Sequence, residues 1–164
     1  MAGHVYLVGM PGSGKSSVGR LLAGSLGASF VDLDAEVEAS AGASVRAIFE
    51  AEGEAGFRDR EAEALLRVAA GPVAVVACGG GAVLRPQNVE RMRSTGTVVH
   101  LDAPAEVLAG RVETAGDRPL LTDGAALGRL HADRAPAYRA AAHVRVDASG
   151  TPERVAEAVR RALP

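Results

Sequence analysis

The 164-residue chain has no tryptophan, two tyrosines, three phenylalanines and one cysteine. Aromatic residues amount to 3%, too few rings for a stacking platform that would hold single-stranded nucleic acid. The lone thiol, Cys78, excludes an internal disulfide and any cysteine cage for zinc. The four histidines, His4, His100, His131 and His143, fall at no metal-ligand spacing and are expected in surface or core roles. Charge of one sign is lacking too. A formal net charge of −2 gives no general pull toward nucleic acid or acidic membranes, so any anion site has to be local. No run approaches the ~20 apolar residues needed to span a bilayer, and the first residues lack a basic segment leading into a long apolar one. A cytoplasmic protein with no nucleic-acid or membrane partner is expected, and nothing in the sequence asks for more than a monomer.

What is present alternates. Short apolar runs at His4–Val8, Ser29–Leu33, Val73–Cys78, Thr97–Leu101 and His143–Val146 read as strands. Between them lie helical patterns such as Lys15–Leu26, Glu54–Ala70 and Leu127–Ala140, with start signals at Pro104 and at Thr151-Pro152-Glu153. There is no repeat, low-complexity tract or linker, so residues 1–164 are read as one domain. The alternation predicts an α/β three-layer fold with a five-stranded parallel sheet flanked by helices. In such sheets ligands gather beyond the carboxyl ends of the strands. Three motifs follow a strand in that way: Gly9–Ser16, the Asp32/Asp34 pair, and Gly79-Gly80-Gly81.

Lys15 is the only lysine; the other 17 basic residues are arginine. It stands in "GMPGSGKS", Gly9 to Ser16, which matches G-x-x-x-x-G-K-[ST] between a strand and a helix. The glycines let the backbone curl so that N–H groups point at phosphate oxygens, and the helix adds its positive end. A compact ammonium reaches the β- and γ-phosphates through a loop that a broad guanidinium would not thread in the same way. Ser16 can place its hydroxyl on Mg²⁺. The loop thus points to a nucleoside triphosphate. A guanine-specific switch protein is disfavoured, since its base-reading Asn-Lys-x-Asp motif would need a second lysine.

The acceptor side is more ambiguous residue by residue. In "FVDLD", Asp32 and Asp34 share a face if the strand persists that far, one for a Mg²⁺ water and one for substrate hydroxyls; alternatively Asp34 caps the next helix. Arg58 and Glu61 in "GFRDRE" stand at i, i+3 and by spacing alone read as an ordinary surface ion pair. The "CGGGAV" loop is either a turn or a surface stripped of side chains where a ligand meets backbone. "GDRPLL", Gly116 to Leu121, is an exposed loop or a lid tipped by arginine. In "RAPAY", Pro136 is expected to kink or break a helix, and Arg134 alone says little.

As an ordered set these motifs are specific. The phosphate loop, D-x-D, F-R-x-x-E, G-G-G, R-P-L-L and R-x-P-x-Y together resemble the shikimate kinase family, over about Val5 to Val159. The resemblance implies transfer of the γ-phosphoryl of ATP to the 3-hydroxyl of shikimate, with Mg²⁺, on a nucleoside-monophosphate-kinase-like fold. It implies an acceptor-binding region at about 34–61 and a lid at about 112–124. Gly12, Ser13, Gly14, Lys15, Ser16 and Ser17 would hold ATP, with Arg111 packing on adenine and Pro152 in the adenine wall. Arg118 would be the lid arginine over the phosphates. Ser16 and Asp32 would serve magnesium, Asp32 through water. Asp34 would bind the ring hydroxyls and take the proton of the attacking one. Arg58 and Arg134 would grip the carboxylate, with Gly80 and Gly81 giving backbone contacts. Two departures are small: Ser17 stands where the family commonly has threonine, and Cys78 where small or hydroxyl residues are frequent. A gluconate-type kinase of similar architecture and a catalytically silent nucleotide sensor are the competing readings.

Overall fold

Strand β1 (His4–Val8) is buried along its whole length. Because successive side chains point to opposite faces, a strand buried throughout must be covered on both. It is the middle member of a five-stranded sheet of order β2-β3-β1-β4-β5, in which every pairing is parallel. The partners are β2 (Ser29–Asp32), β3 (Ala74–Ala77), β4 (Gly96–Asp102) and β5 (Val144–Asp147). The computed structural model describes residues 1–115 and 124–164. Among those residues the helices are α1 (Lys15–Leu26), α2 (Leu33–Ala41), α3 (Val45–Ala70), α4 (Pro86–Thr95), α5 (Ala105–Ala115), α6 (Gly124–Ala141) and α7 (Pro152–Ala162). α1 packs on β2, β3 and α7, while α4 packs on β1, β4 and α3. The expected three-layer α/β architecture is the observed one.

Register explains why three loops meet at one edge. Leu7 pairs with Ala77, and Ala77 with Asp32, so the last residues of β1, β3 and β2 stand nearly in one row. The next amide continues it, Cys78 N donating to Leu7 O at 3.0 Å. The chain leaves β1 into the phosphate loop, β3 into the glycines and β2 into α2, all on the same side.

Three local expectations are corrected. β2 stops at Asp32 rather than reaching Asp34, and α2 begins at Leu33. Its cap is Asp32, whose Oδ1 accepts from Asp34 N at 3.0 Å and Ala35 N at 3.3 Å, so Asp34 is not the cap. A carboxylate one residue before the helix reaches the first free amides; one inside the first turn does not. Pro136 neither breaks nor ends α6, which runs through it. Arg134 before it and Tyr138 and Ala141 after it are all buried, and this anchoring offsets one lost amide donor. The helix expected at Glu54–Ala70 is the second half of α3, divided from Val45–Glu52 by Gly53 at φ 71° and ψ −175°, a conformation that favours glycine.

Two glycines of α1 test the packing with opposite signs. A Cβ on Gly19 would lie 2.5 Å from Phe30 Cε2, whereas one on Gly24 would meet nothing within 4 Å. Gly19→Ala is expected to lower stability by about 1–3 kcal/mol through overpacking. Gly24→Ala should raise it by about 0.5–1 kcal/mol, because alanine loses less backbone entropy in a helix. Urea unfolding of both variants checks the pair.

Candidate active site

The nucleotide half is built by the phosphate loop. Gly12 (φ 83°) and Gly14 (φ 93°) hold left-handed conformations that turn the loop ahead of α1. Lys15 is buried, and its Nζ donates to Gly9 O at 2.8 Å and Met10 O at 2.9 Å. The ammonium therefore lies across the loop it must serve. Ser16 Oγ donates to Asp32 Oδ2 at 3.1 Å, which sets a hydroxyl and a carboxylate side by side at the ends of β1 and β2. A cleft of about 400 Å³ runs past Gly12 to Val18, Arg111, Ala148, Gly150, Pro152 and Val155. Arg111 forms part of its wall and ties two loops together. Its Nη1 donates to Gly12 O at 3.2 Å, and its Nη2 to Ala148 O at 2.7 Å and Gly150 O at 3.2 Å. Gly12, Ser13, Gly14, Lys15, Ser16, Ser17, Arg111 and Pro152 thus share one cavity. Ala148 and Gly150 escaped the sequence because a wall made of backbone leaves no motif.

The acceptor half lies over the glycines after β3, and each glycine has a different occupant of the space its missing side chain leaves. A Cβ on Gly79 would come 2.6 Å from Glu61 Oε2 and 3.0 Å from Asp34 Oδ1. On Gly80 it would come 3.0 Å from Arg134 Nη1 and 3.3 Å from Pro11 of the phosphate loop. On Gly81 it would overlap the guanidinium of Arg58. Asp34, Arg58 and Arg134, from three different helices, thus converge on three consecutive residues. Gly79 to Gly81 leave no room for a Cβ because these side chains already lie against their backbone.

Arg58 and Glu61 are not the surface pair that their spacing suggests. Arg58 is 8% exposed and Glu61 0%, with Arg58 Nη1 donating to Glu61 Oε1 at 3.0 Å. Burial pushes the Glu61 carboxyl above its usual range, the Arg58 charge opposes this, and Asp34 adds to the rise. Helical spacing says two residues share a face; it does not say which way the face looks. Glu61 and Tyr138 also reach this loop, Glu61 lying against Gly79 and Tyr138 Oη donating to Gly80 O at 2.5 Å. Both had a readable signal, an i, i+3 and an i, i+4 relation to a site arginine.

Cys78 packs as a small apolar group, its Sγ 3.8 Å from Met92 Sδ, and burial raises its thiol so that it stays neutral. Arg118 lies outside the described residues, as does most of the lid expected at about 112–124. Among the described residues no group of three or more His, Cys, Asp or Glu could hold a metal. The two hard oxygens of Ser16 and Asp32 fit a Mg²⁺ that takes its remaining ligands from phosphates and water.

A family model for shikimate kinase matches residues 11–164. The shikimate kinase of Symbiobacterium thermophilum is 55% identical over 148 residues, 87% of this chain and 85% of that protein. That of Gloeobacter violaceus is 53% identical over 163 residues, 97% of this chain and 91% of that protein. Among solved structures, shikimate kinase from Acinetobacter baumannii in complex with shikimate has a TM-score of 0.94 at 37% identity, covering 99% of this chain and 93% of that one.

Two measurements follow from the geometry. Gly81 has φ −101°, so Gly81→Ala is not strained in its backbone, but its methyl must displace Arg58. Acceptor KM is expected to rise about ten-fold or more, the scale of one charge-assisted hydrogen bond, with KM for nucleotide little changed in steady-state assays. His100 is buried on β4 and its ring stacks on Tyr138 at 5.1 Å. Burial lowers it to about 4, against the pull of Asp102 and with the push of Arg145, Arg139 and His131. Between pH 6.5 and 4 the unfolded chain then binds a proton that the folded one refuses, so this stability is present above 6.5 and lost as pH falls. Melting curves should show a wild-type loss of Tm over that window larger than that of His100→Phe, by about 3 °C for each kcal/mol of this linkage.

Proposed function

The chain belongs to the shikimate kinase family, and we infer that it transfers the γ-phosphoryl of ATP to the 3-hydroxyl of shikimate, giving shikimate 3-phosphate and ADP. The observation that carries this reading is the convergence of Arg58 and Arg134 on Gly80 and Gly81, beside Asp34 and next to the phosphate loop. Two planar guanidiniums select a carboxylate by bidentate hydrogen bonds, and a neutral sugar offers them no charge. The absence of side chains on these glycines lets Asp34, Arg58 and Arg134 lie close to the loop backbone, where they can meet the acceptor together with it. Asp34 hydrogen-bonds the ring hydroxyls, orients the attacking one and accepts its proton late, as phosphoryl transfer develops little charge on the nucleophile early.

Catalysis on this reading is mostly placement and charge neutralisation. Gly12 to Ser17 hold the triphosphate through backbone amides, and Lys15 exchanges its two loop carbonyls for β- and γ-phosphate oxygens. Arg118, in the lid, neutralises the transferring group. Arg111 and Pro152 bound the base. Ser16, and Asp32 through water, would hold Mg²⁺, which would screen the charge of the phosphate oxygens. In this assignment the chain works as a single domain, with an acceptor region at about 34–61 and a lid at about 112–124. It acts as a cytoplasmic monomer. Among the described residues no helix is long and apolar enough to cross a membrane.

The test is ADP release from Mg-ATP with shikimate, gluconate and AMP supplied separately. Turnover with shikimate alone is expected. Turnover with gluconate would keep the phosphate loop and refute the acceptor assignment, and nucleotide binding without turnover on any acceptor would indicate a sensor. Arg58→Ala should raise KM for shikimate about 10- to 100-fold, the range of hydrogen bonds to a charged group, while KM for ATP holds. Because the substitution strands buried Glu61, at a cost of about 3 kcal/mol, the assay is run cold with a circular dichroism control. Unchanged shikimate affinity in that variant would remove Arg58 from the site.

A further inference from the structure

We propose that Tyr138 is a positioning residue of the acceptor site: its hydroxyl anchors the Gly80 carbonyl to α6, and so sets how Gly81 N–H, Arg58 and Arg134 meet the acid group of the acceptor. The proposal rests on the functional reading above, in that it takes the acceptor to be a carboxylic acid.

Tyr138 is 1% exposed. A buried tyrosine always needs a partner for its hydroxyl, so a hydrogen bond alone would mean nothing. The identity of the partners is the informative part. Tyr138 Oη donates to Gly80 O at 2.5 Å. Burial raises the pKa of this hydroxyl, and the Arg134 charge, one helical turn earlier, opposes that rise; Met10 Sδ of the phosphate loop lies 3.9 Å from it. One hydroxyl therefore touches the acceptor loop and the nucleotide loop, in the field of an acceptor-binding arginine. Behind it the ring stacks on His100, whose strand position pairs with Val8 at the mouth of the phosphate loop. A phenylalanine would fill the same space and lose both contacts of the oxygen.

The peptide geometry gives the hydroxyl its consequence. Gly80 C=O and Gly81 N–H belong to one planar trans peptide and point in opposite directions. Holding the carbonyl toward Tyr138 turns the Gly81 amide away from α6. Among the described residues that amide donates to no backbone carbonyl, and the Arg58 guanidinium lies against the same glycine. A glycine peptide with no side chain on either flank has little else to fix its plane.

The experiment compares wild type and Tyr138→Phe with shikimate and with its methyl ester, which keeps the ring and hydroxyls and loses the negative charge. In the variant, KM for shikimate is expected to rise about five-fold, the scale of one hydrogen bond, with KM for ATP within about two-fold. KM for the ester should barely move, so the preference for acid over ester shrinks about five-fold. A tyrosine that only supports the fold would lower Tm and leave that preference intact, and an intact preference overturns the proposal. Should the variant fold poorly, calorimetric titration with shikimate separates the two effects, since misfolded protein lowers the stoichiometry and leaves the affinity of the folded fraction readable. A Kd equal to wild type overturns the proposal there too. Failure of wild type to turn over shikimate while turning over another acceptor overturns the functional reading, and this proposal with it.

Discussion

A guanidinium buried against bare backbone has to be held by a carboxylate, or the interior rejects it. Arg58 lies on Gly81 with Glu61 as its partner, and Glu61 has no contact with water. Removing either member would leave a charge in a medium that solvates it poorly. The pair fixes α3 against the loop after β3, and from that contact the rest of the acceptor side takes its spacing. Asp34 on α2 reaches the same loop at Gly79, and Arg134 on α6 at Gly80. Two consecutive helices, α2 and α3, and the distant α6 are registered on three consecutive glycines.

The nucleotide side is registered on the same edge by the sheet. β1 and β3 are neighbours, and Pro11 of the phosphate loop lies against Gly80. The two halves of the site therefore meet through backbone and not across a flexible hinge. Asp32 joins them from the other direction, using one oxygen to cap α2 and the other to receive Ser16. A carboxylate pinned by two backbone amides has little rotational freedom left, so its second oxygen is aimed before any ion or phosphate arrives. Such a carboxylate is set in place in advance, the sense of electrostatic preorganisation that matters for phosphoryl transfer, whereas Lys15 rests on two carbonyls of its own loop.

The strands, most of the helices and the phosphate loop were legible in the sequence, because each depends on neighbours within a few positions. Apolar runs of strand length, a glycine pattern before a lysine, and Thr151-Pro152 ahead of α7 are local signals with local causes. The acceptor motifs were legible only as an ordered set, and their individual spacings misled. Asp34 reads as a possible cap because the apolar run of β2 continues through Leu33, one residue past the end of the strand. Arg58 and Glu61 read as a surface pair because i, i+3 spacing is the same on either face of a helix. Pro136 read as a break because the buried contacts that carry α6 through it are distant in sequence.

What the sequence alone determined is the kind of chemistry: a loop for phosphates, a solitary ammonium to reach them, and a layered parallel sheet to present both at one edge. The tertiary structure decided which charges are buried, which hydroxyl is shared and what lies in the room left by each glycine. The reason is range. Backbone curvature and helix or strand periodicity are set by steric and hydrogen-bonding terms between near neighbours, whereas the burial of Glu61 and the reach of Tyr138 to Gly80, 58 residues away, exist only once helices and sheet have packed.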